Sequence, residues 1–361
     1  WWTNEGLELD VNLRRVKTDG DYCALQFMDA STGWMLANRG SGGLGNRILR
    51  TDDGGASWSV VNLAPQAHLA DLVFVDTQRG WAVGSEHDPS NWWTWQPTVV
   101  VTQDGGQSWT AQTAPGPGVL RAVDFVDAAH GWAVGDGGMI VATGDGGATW
   151  TAQHSGTVEQ RCDVDFLDSL RGWAVGKRGV ILATSDGGTT WTAQTSHTTA
   201  TLEAVHFSDA TTGCAAGGSS VGLYTSDAGV TWSPASSSVD SQGAYVTSLA
   251  FADSVTGWAA AYEGKVFKTT DAGASWTLQR PSSGLGDGPF LNDIACLDAQ
   301  RIWAVGPQGQ MTDTQDGGAT WSEFRFAADQ ATAQRLTVTS RLGASGNPGS
   351  TVRLTLDNFP Q

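Results

Sequence analysis

Basic residues are scarce in this 361-residue chain, with 20 Lys and Arg against 37 Asp and Glu and a formal charge of −17. Nucleic acid and anionic membrane surfaces both call for clustered positive charge, so neither is an expected partner. Cysteine is rarer still. Cys23, Cys162, Cys214 and Cys296 show no CxxC or other metal-ligand spacing; they read as small buried hydrophobes, and no disulfide, metal or cofactor is expected. No apolar run is long enough to cross a bilayer, and no signal-peptide pattern opens the chain. It starts at Trp1 rather than Met, which reads as a mature or trimmed product. Scarce Lys beside 47 Gly and 18 Trp, with much Ser and Thr, leans towards an extracytoplasmic location: periplasm, cell surface or medium.

What the chain has in abundance is one phrase. Thr-x-Asp-x-Gly-x-(Ser/Thr)-Trp occurs seven times, ending at Trp58, Trp109, Trp150, Trp191, Trp232, Trp276 and Trp321. The spacings are 51, 41, 41, 41, 44 and 45 residues, and a period in the low forties means one four-stranded blade per repeat. The Asp of each copy (Asp53, Asp104, Asp145, Asp186, Asp227, Asp271 and Asp316) suits a tight turn, where a short carboxylate accepts backbone N–H groups left unpaired. A ring of identical turns has no single place for chemistry, so these seven Asp-box residues are read as structural.

The predicted fold is all-β: a seven-bladed propeller over residues 20–326, preceded by a strand in 1–19 and followed by a β extension over 327–361. Leu7, Leu9, Val11 and Leu13 alternate as in a half-buried strand, which would close the ring or pack beneath it. Each blade opens with an apolar strand and an Asp two residues past its end (Asp29, Asp76, Asp127, Asp168, Asp209, Asp253, Asp298). A second strand follows at Gly-Trp-Ala-Val-Gly or its relatives, and Cys214 stands where other blades have Trp. Past Trp321 two alternating segments, 335–340 and 350–356, read as a hairpin docked on the propeller or as the start of an immunoglobulin-like domain.

In this layout the Asp-box turns share one face, and the connections from second to third strand emerge on the other. Two of those are long. Blade 1 has a glycine-rich loop bearing Arg39 and Arg47. Blade 2 has an insertion with His87, Trp92, Trp93 and Trp95. The repeat accounts for every Trp except these three, Trp1 and Trp2. Concentrated aromatics on a loop face suit a binding surface for a protein subunit, a peptide or a glycan, or else the insertion folds back over a blade gap. The candidate site is therefore Trp92, Trp93 and Trp95 for stacking, with Arg39, Arg47 and His87 pairing anions or carbonyls.

The sequence Gly-Trp-Ala-Val-Gly followed by Asp-Gly-Gly-x-(Ser/Thr)-Trp, at 131–150 and 172–191, resembles the photosystem II assembly and stability factor family of Asp-box propellers. The resemblance implies a non-catalytic propeller that binds another protein during assembly of a membrane complex, outside the cytoplasm. Photosynthetic members are described by an arginine-rich patch, whereas Arg39, Arg79, Arg121, Arg161, Arg171, Arg178 and Arg301 are scattered here. Arg121 and Arg161 either meet at the channel mouth or pair with nearby Asp. Asp-boxes also occur in sialidases and xyloglucan-cleaving glycosidases, which makes a glycoside hydrolase or lectin-like glycan binder the alternative. Hydrolysis needs two carboxylates about 5–10 Å apart across a cleft. Asp71, Asp124, Asp163, Asp165 and Asp293 on the innermost strands are the candidates; the competing reading is a channel lining or bonds to an adjacent blade.

Overall fold

A computed structural model describes residues 20–39, 47–61, 67–88, 91–237, 244–281, 290–307, 309–325, 335–339 and 353–357. Seven sheets, antiparallel except where Ser236–Ser237 adds a short parallel edge to the sixth, follow one another in chain order, each with its first strand innermost. The innermost strands begin at Gly20, His68, Leu120, Arg161, Leu202, Val246 and Asp293. Each packs beside the next, and the seventh lies against the first, so the ring is closed. Blade 7 draws four strands from residues 293–325. Arg335–Thr339 then pairs with Ser322 and Glu323, and Arg353–Asp357 pairs with Arg335–Thr339, continuing that sheet outward. The alternating segment expected over residues 7–13 lies outside the described residues.

Second strands such as Gly131–Gly135 and Gly172–Gly176 are buried along their whole length, because a blade is covered on both faces by its neighbours. The apolar core accordingly lies between blades. One hydrophobic cluster joins each successive pair, and another joins blade 7 to blade 1 through Phe27, Met35, Trp303 and Met311. The second-strand Trp of one blade stacks on the first-strand Phe of the next: Trp34 on Phe74 at 3.7 Å, Trp81 on Phe125 at 3.7 Å, Trp132 on Phe166 at 3.5 Å and Trp173 on Phe207 at 3.4 Å. Trp303 stacks on Phe27 at 3.8 Å and closes the ring. The Asp-box Trp meets the same Phe edge-on, as Trp191 does Phe166.

The box turns are built alike in every blade. In blade 4 the Thr184 hydroxyl donates to Asp186 (2.9 Å) and accepts the Gly188 N–H (2.8 Å), while Asp186 accepts both the N–H (2.8 Å) and the hydroxyl (2.7 Å) of Thr190. The Asp ending each first strand does parallel work: Asp168 accepts the N–H groups of Leu170 and Arg171. One further bond, such as Gly187 N–H to Leu170 O at 2.9 Å, ties the two turns together on one face of the disc.

Candidate functional site

The opposite face carries the connections from second to third strand. In blades 3 to 6 these are three-residue turns at Asp136–Gly138, Lys177–Gly179, Gly218–Ser220 and Tyr262–Gly264. The first N–H of each donates to the residue just before the buried start of its own innermost strand: Asp136 to Val119, Lys177 to Gln160, Gly218 to Thr201 and Tyr262 to Tyr245. These bonds put corresponding positions of four blades in register around the channel mouth.

Blade 2 departs from the expected loop. Its insertion continues the sheet as a long hairpin, Gly80–Asp88 pairing with Asn91–Thr102, with His87 opposite Trp95 and Asp88 opposite Asn91. The residues keep making ladder hydrogen bonds beyond the body of the blade, so aromatics read as loop residues are strand residues. The ring of Trp95 lies 3.9 Å from that of His87 and 5.4 Å from that of His68, and its carbonyl accepts the Gly118 N–H at 3.0 Å. Trp95 is half-buried in these contacts. Trp92 and Trp93 lie on the same strand, with side chains outside the described residues. Arg39 ends the second strand of blade 1 and Arg47 begins the third; the loop between them is likewise outside the described residues.

The scattered arginines whose side chains are described have local partners. Arg79, Arg171 and Arg301 each pair with the Asp three residues earlier, and Arg178 pairs with Glu159 at 3.2 Å. Arg121 pairs with Asp136 at 2.6 Å. Arg161 is fully buried, at a position where blades 2, 3, 5 and 7 have Leu69, Leu120, Leu202 and Leu291, and it donates to the Glu159 carbonyl at 2.6 Å.

The five inner-strand carboxylates each accept a backbone N–H from the following blade. Asp71 binds Val123 (2.9 Å), Asp124 binds Phe166 (2.7 Å), Asp163 binds Val205 (2.9 Å) and Asp165 binds Phe207 (2.7 Å). Asp293 binds Leu25 across the closing seam at 2.7 Å and also accepts from the Ser248 hydroxyl. Burial pushes Asp163 up to about 8; burial, then the neighbouring Asp165 carboxylate, pushes Asp124 up to about 7. Burial likewise raises Asp165 to about 7 and Asp293 to about 6. Carboxylates weighed for glycosidic chemistry thus act as clasps between blades.

A group missed in the sequence emerges beside the mouth at blades 6 and 7. Tyr245 stacks on Tyr262 at 4.5 Å, and Tyr262 lies 4.4 Å from Phe290. Tyr262 is 38% exposed and Phe290 47%. The Tyr245 hydroxyl donates to Glu203 of blade 5, and burial followed by that carboxylate holds the phenol well above its usual range. The signal was available: Tyr245 and Phe290 occupy the position held by Val119, Gln160 and Thr201 in blades 3 to 5.

The family model described as photosynthesis system II assembly factor YCF48 matches residues 154–285. YCF48 bound to D1 peptide superposes with a TM-score of 0.64 at 19% identity, covering 82% of this chain and 92% of the other. YCF48 from Cyanidioschyzon merolae gives 0.63 at 21% identity, over 82% of this chain and 96% of that one. The RRP9 WD40 repeats give 0.59 at 11% identity, over 80% of this chain and 88% of theirs, a likeness of fold alone. No curated protein shows a sequence match. Its repeats and its ring of blades make this chain a propeller similar to the photosystem II assembly factor.

Proposed function

We propose that the chain is a non-catalytic, extracytoplasmic protein-interaction propeller whose loop face holds a segment of a partner protein during assembly of a larger complex. The observation that carries this reading is the commitment of the five inner-strand carboxylates to backbone N–H groups of neighbouring blades, which favours a structural role for them over acid–base work. The similar YCF48 propeller bound to a D1 peptide supports a protein segment as the partner. Two departures from the blade repeat fall on the loop face, at the blade 2 hairpin and the blade 6 and 7 aromatics, where a partner would be selected.

The test is site-specific photo-crosslinking in the source cells. A crosslinking residue at Lys177 or Glu263 on the loop face should capture one protein partner, and the same residue at Thr189 in an Asp-box turn should not. Equal capture from both faces, or release of sugars from a polysaccharide by the purified chain, would sink the reading. Digestion by protease added to intact, outer-membrane-permeabilised cells checks the location, and full protection would remove the extracytoplasmic part.

A further inference from the structure

We propose that Tyr245, Tyr262 and Phe290 form a docking ledge for an extended peptide that places an apolar or aromatic side chain beside a Lys or Arg. This rests on the reading of the chain as a protein-interaction propeller and names the place and chemistry of the contact.

The fold does not require aromatics here. The N–H to carbonyl bond that joins Tyr262 to Tyr245 joins Asp136 to Val119, Lys177 to Gln160 and Gly218 to Thr201 in the preceding blades. The same backbone is therefore built with aliphatic, polar or charged residues, or with none. Blade 6 instead carries tyrosine at both positions, and blade 7 adds Phe290. Two of the three rings keep more than a third of their surface in water. Exposed aromatics in contact with one another, rather than scattered singly, are a feature of recognition surfaces.

The neighbours are arranged around these rings. Gly218 opens the turn of blade 5, and a Cβ there would lie 3.0 Å from Cε2 of Tyr245; its absence lets the ring lean across the seam towards Glu203. Two carboxylates belong to the same group: Glu203 accepts the Tyr245 hydroxyl, and Glu263, next to Tyr262, pairs with Lys265 at 2.9 Å while its side chain stays 61% exposed. A ligand side chain lying on the Phe290 and Tyr262 rings would bury apolar area, and an adjacent cation would meet ring faces and carboxylates together. Charge also selects the occupant. The carboxylates of Glu203 and Glu263 attract a cationic side chain and repel an acidic one.

A random decapeptide display library panned on the full chain, with counter-selection on the Tyr262→Ser/Phe290→Ser variant, tests the proposal. Both rings are exposed, and the fold of the variant is checked by circular dichroism. Enriched peptides should carry Lys or Arg within two positions of an aromatic or large aliphatic residue. By fluorescence polarisation the best of them should bind the double variant at least about tenfold more weakly, as expected on losing an aromatic anchor, and Glu263→Gln severalfold more weakly. Equal binding to the double variant, a preference for acidic peptides, or a dimer in sedimentation that the double variant disperses would each overturn the proposal. Binders that map elsewhere on the loop face would remove the ledge and leave the interaction reading standing. No binders, combined with no crosslinked partner, would remove both.

Discussion

Ala228 and Ala272 sit at φ of +62° and +58°, the left-handed region, at the box position where the other five blades have Gly54, Gly105, Gly146, Gly187 and Gly317. A Cβ in that region costs about 1–2 kcal/mol, partly offset because glycine has more freedom to lose on folding. Ala228→Gly should therefore stabilise the chain by about 0.5–1 kcal/mol in a thermal melt; no gain would mean that the blade relaxes around the alanine. Cys214 is another exception to the repeat. The seam of blades 5 and 6 lacks the indole, and the imidazole of His206 stacks on Phe251 instead, at 4.4 Å and 13°. Cys214→Trp should destabilise by about 1–3 kcal/mol, since the indole has to displace that ring and Gly273 lies close against Cβ of residue 214. Adding His206→Ala should recover part of the loss, and strictly additive effects would argue against a shared site.

The box turns were legible because all their partners lie within a few residues, so spacing alone describes the hydrogen bonds. The seam contacts were not. Trp132 and Phe166 meet because one blade follows another, which no local pattern states. The blade 2 insertion was misread for a different reason: Asp88-Pro-Ser-Asn91 signals a turn, and the flanking residues were assigned to the loop with it, although Trp92, Trp93, Thr94 and Trp95 have strand propensity. As a hairpin the element is stiffer than a loop and anchored at its base by Trp95 against His87 and His68. Trp95→Ala should cost about 1–2 kcal/mol in chemical denaturation while leaving the ledge on blades 6 and 7 able to bind peptide. An unchanged midpoint would show that the ring contributes nothing to anchoring. The ledge itself escaped because Tyr245, Tyr262 and Phe290 come from three separate segments. Only the register of the innermost strands brings them to one row.

At the scale of the whole ring, two sets of carboxylates pull stability in opposite directions. Asp163, Asp124, Asp165 and Asp293 have folded-state values of about 8, 7, 7 and 6, above the usual 3.8. Folded protein then holds protons that the unfolded chain releases, so this contribution is complete below about pH 4 and is lost as pH rises towards 8. Asp29, through the Ser31 hydroxyl and backbone, and Asp127, through the His130 ring and backbone, are held down at about 2. Their contribution is present above about pH 4 and lost as pH falls towards 2. Calorimetric melts should therefore peak in mildly acidic buffer, fall on both sides, and show a shallower fall above pH 5 in Asp163→Asn. A midpoint that climbs steadily from pH 4 to 8 would contradict the assignment.

The stacking contacts at the seams have a direction. The second-strand indoles of blades 1 to 4 lie on the Phe of the next blade, and each inner carboxylate accepts an N–H from the next blade. During synthesis every new blade completes the one made before it. The first blade is different: its Phe27 ring and Leu25 N–H are made before every other blade, and their partners, Trp303 and Asp293, come with the seventh. The leading edge of the ring therefore stays sticky until the seventh blade is made, and what shields it in that interval has to come from outside the ring.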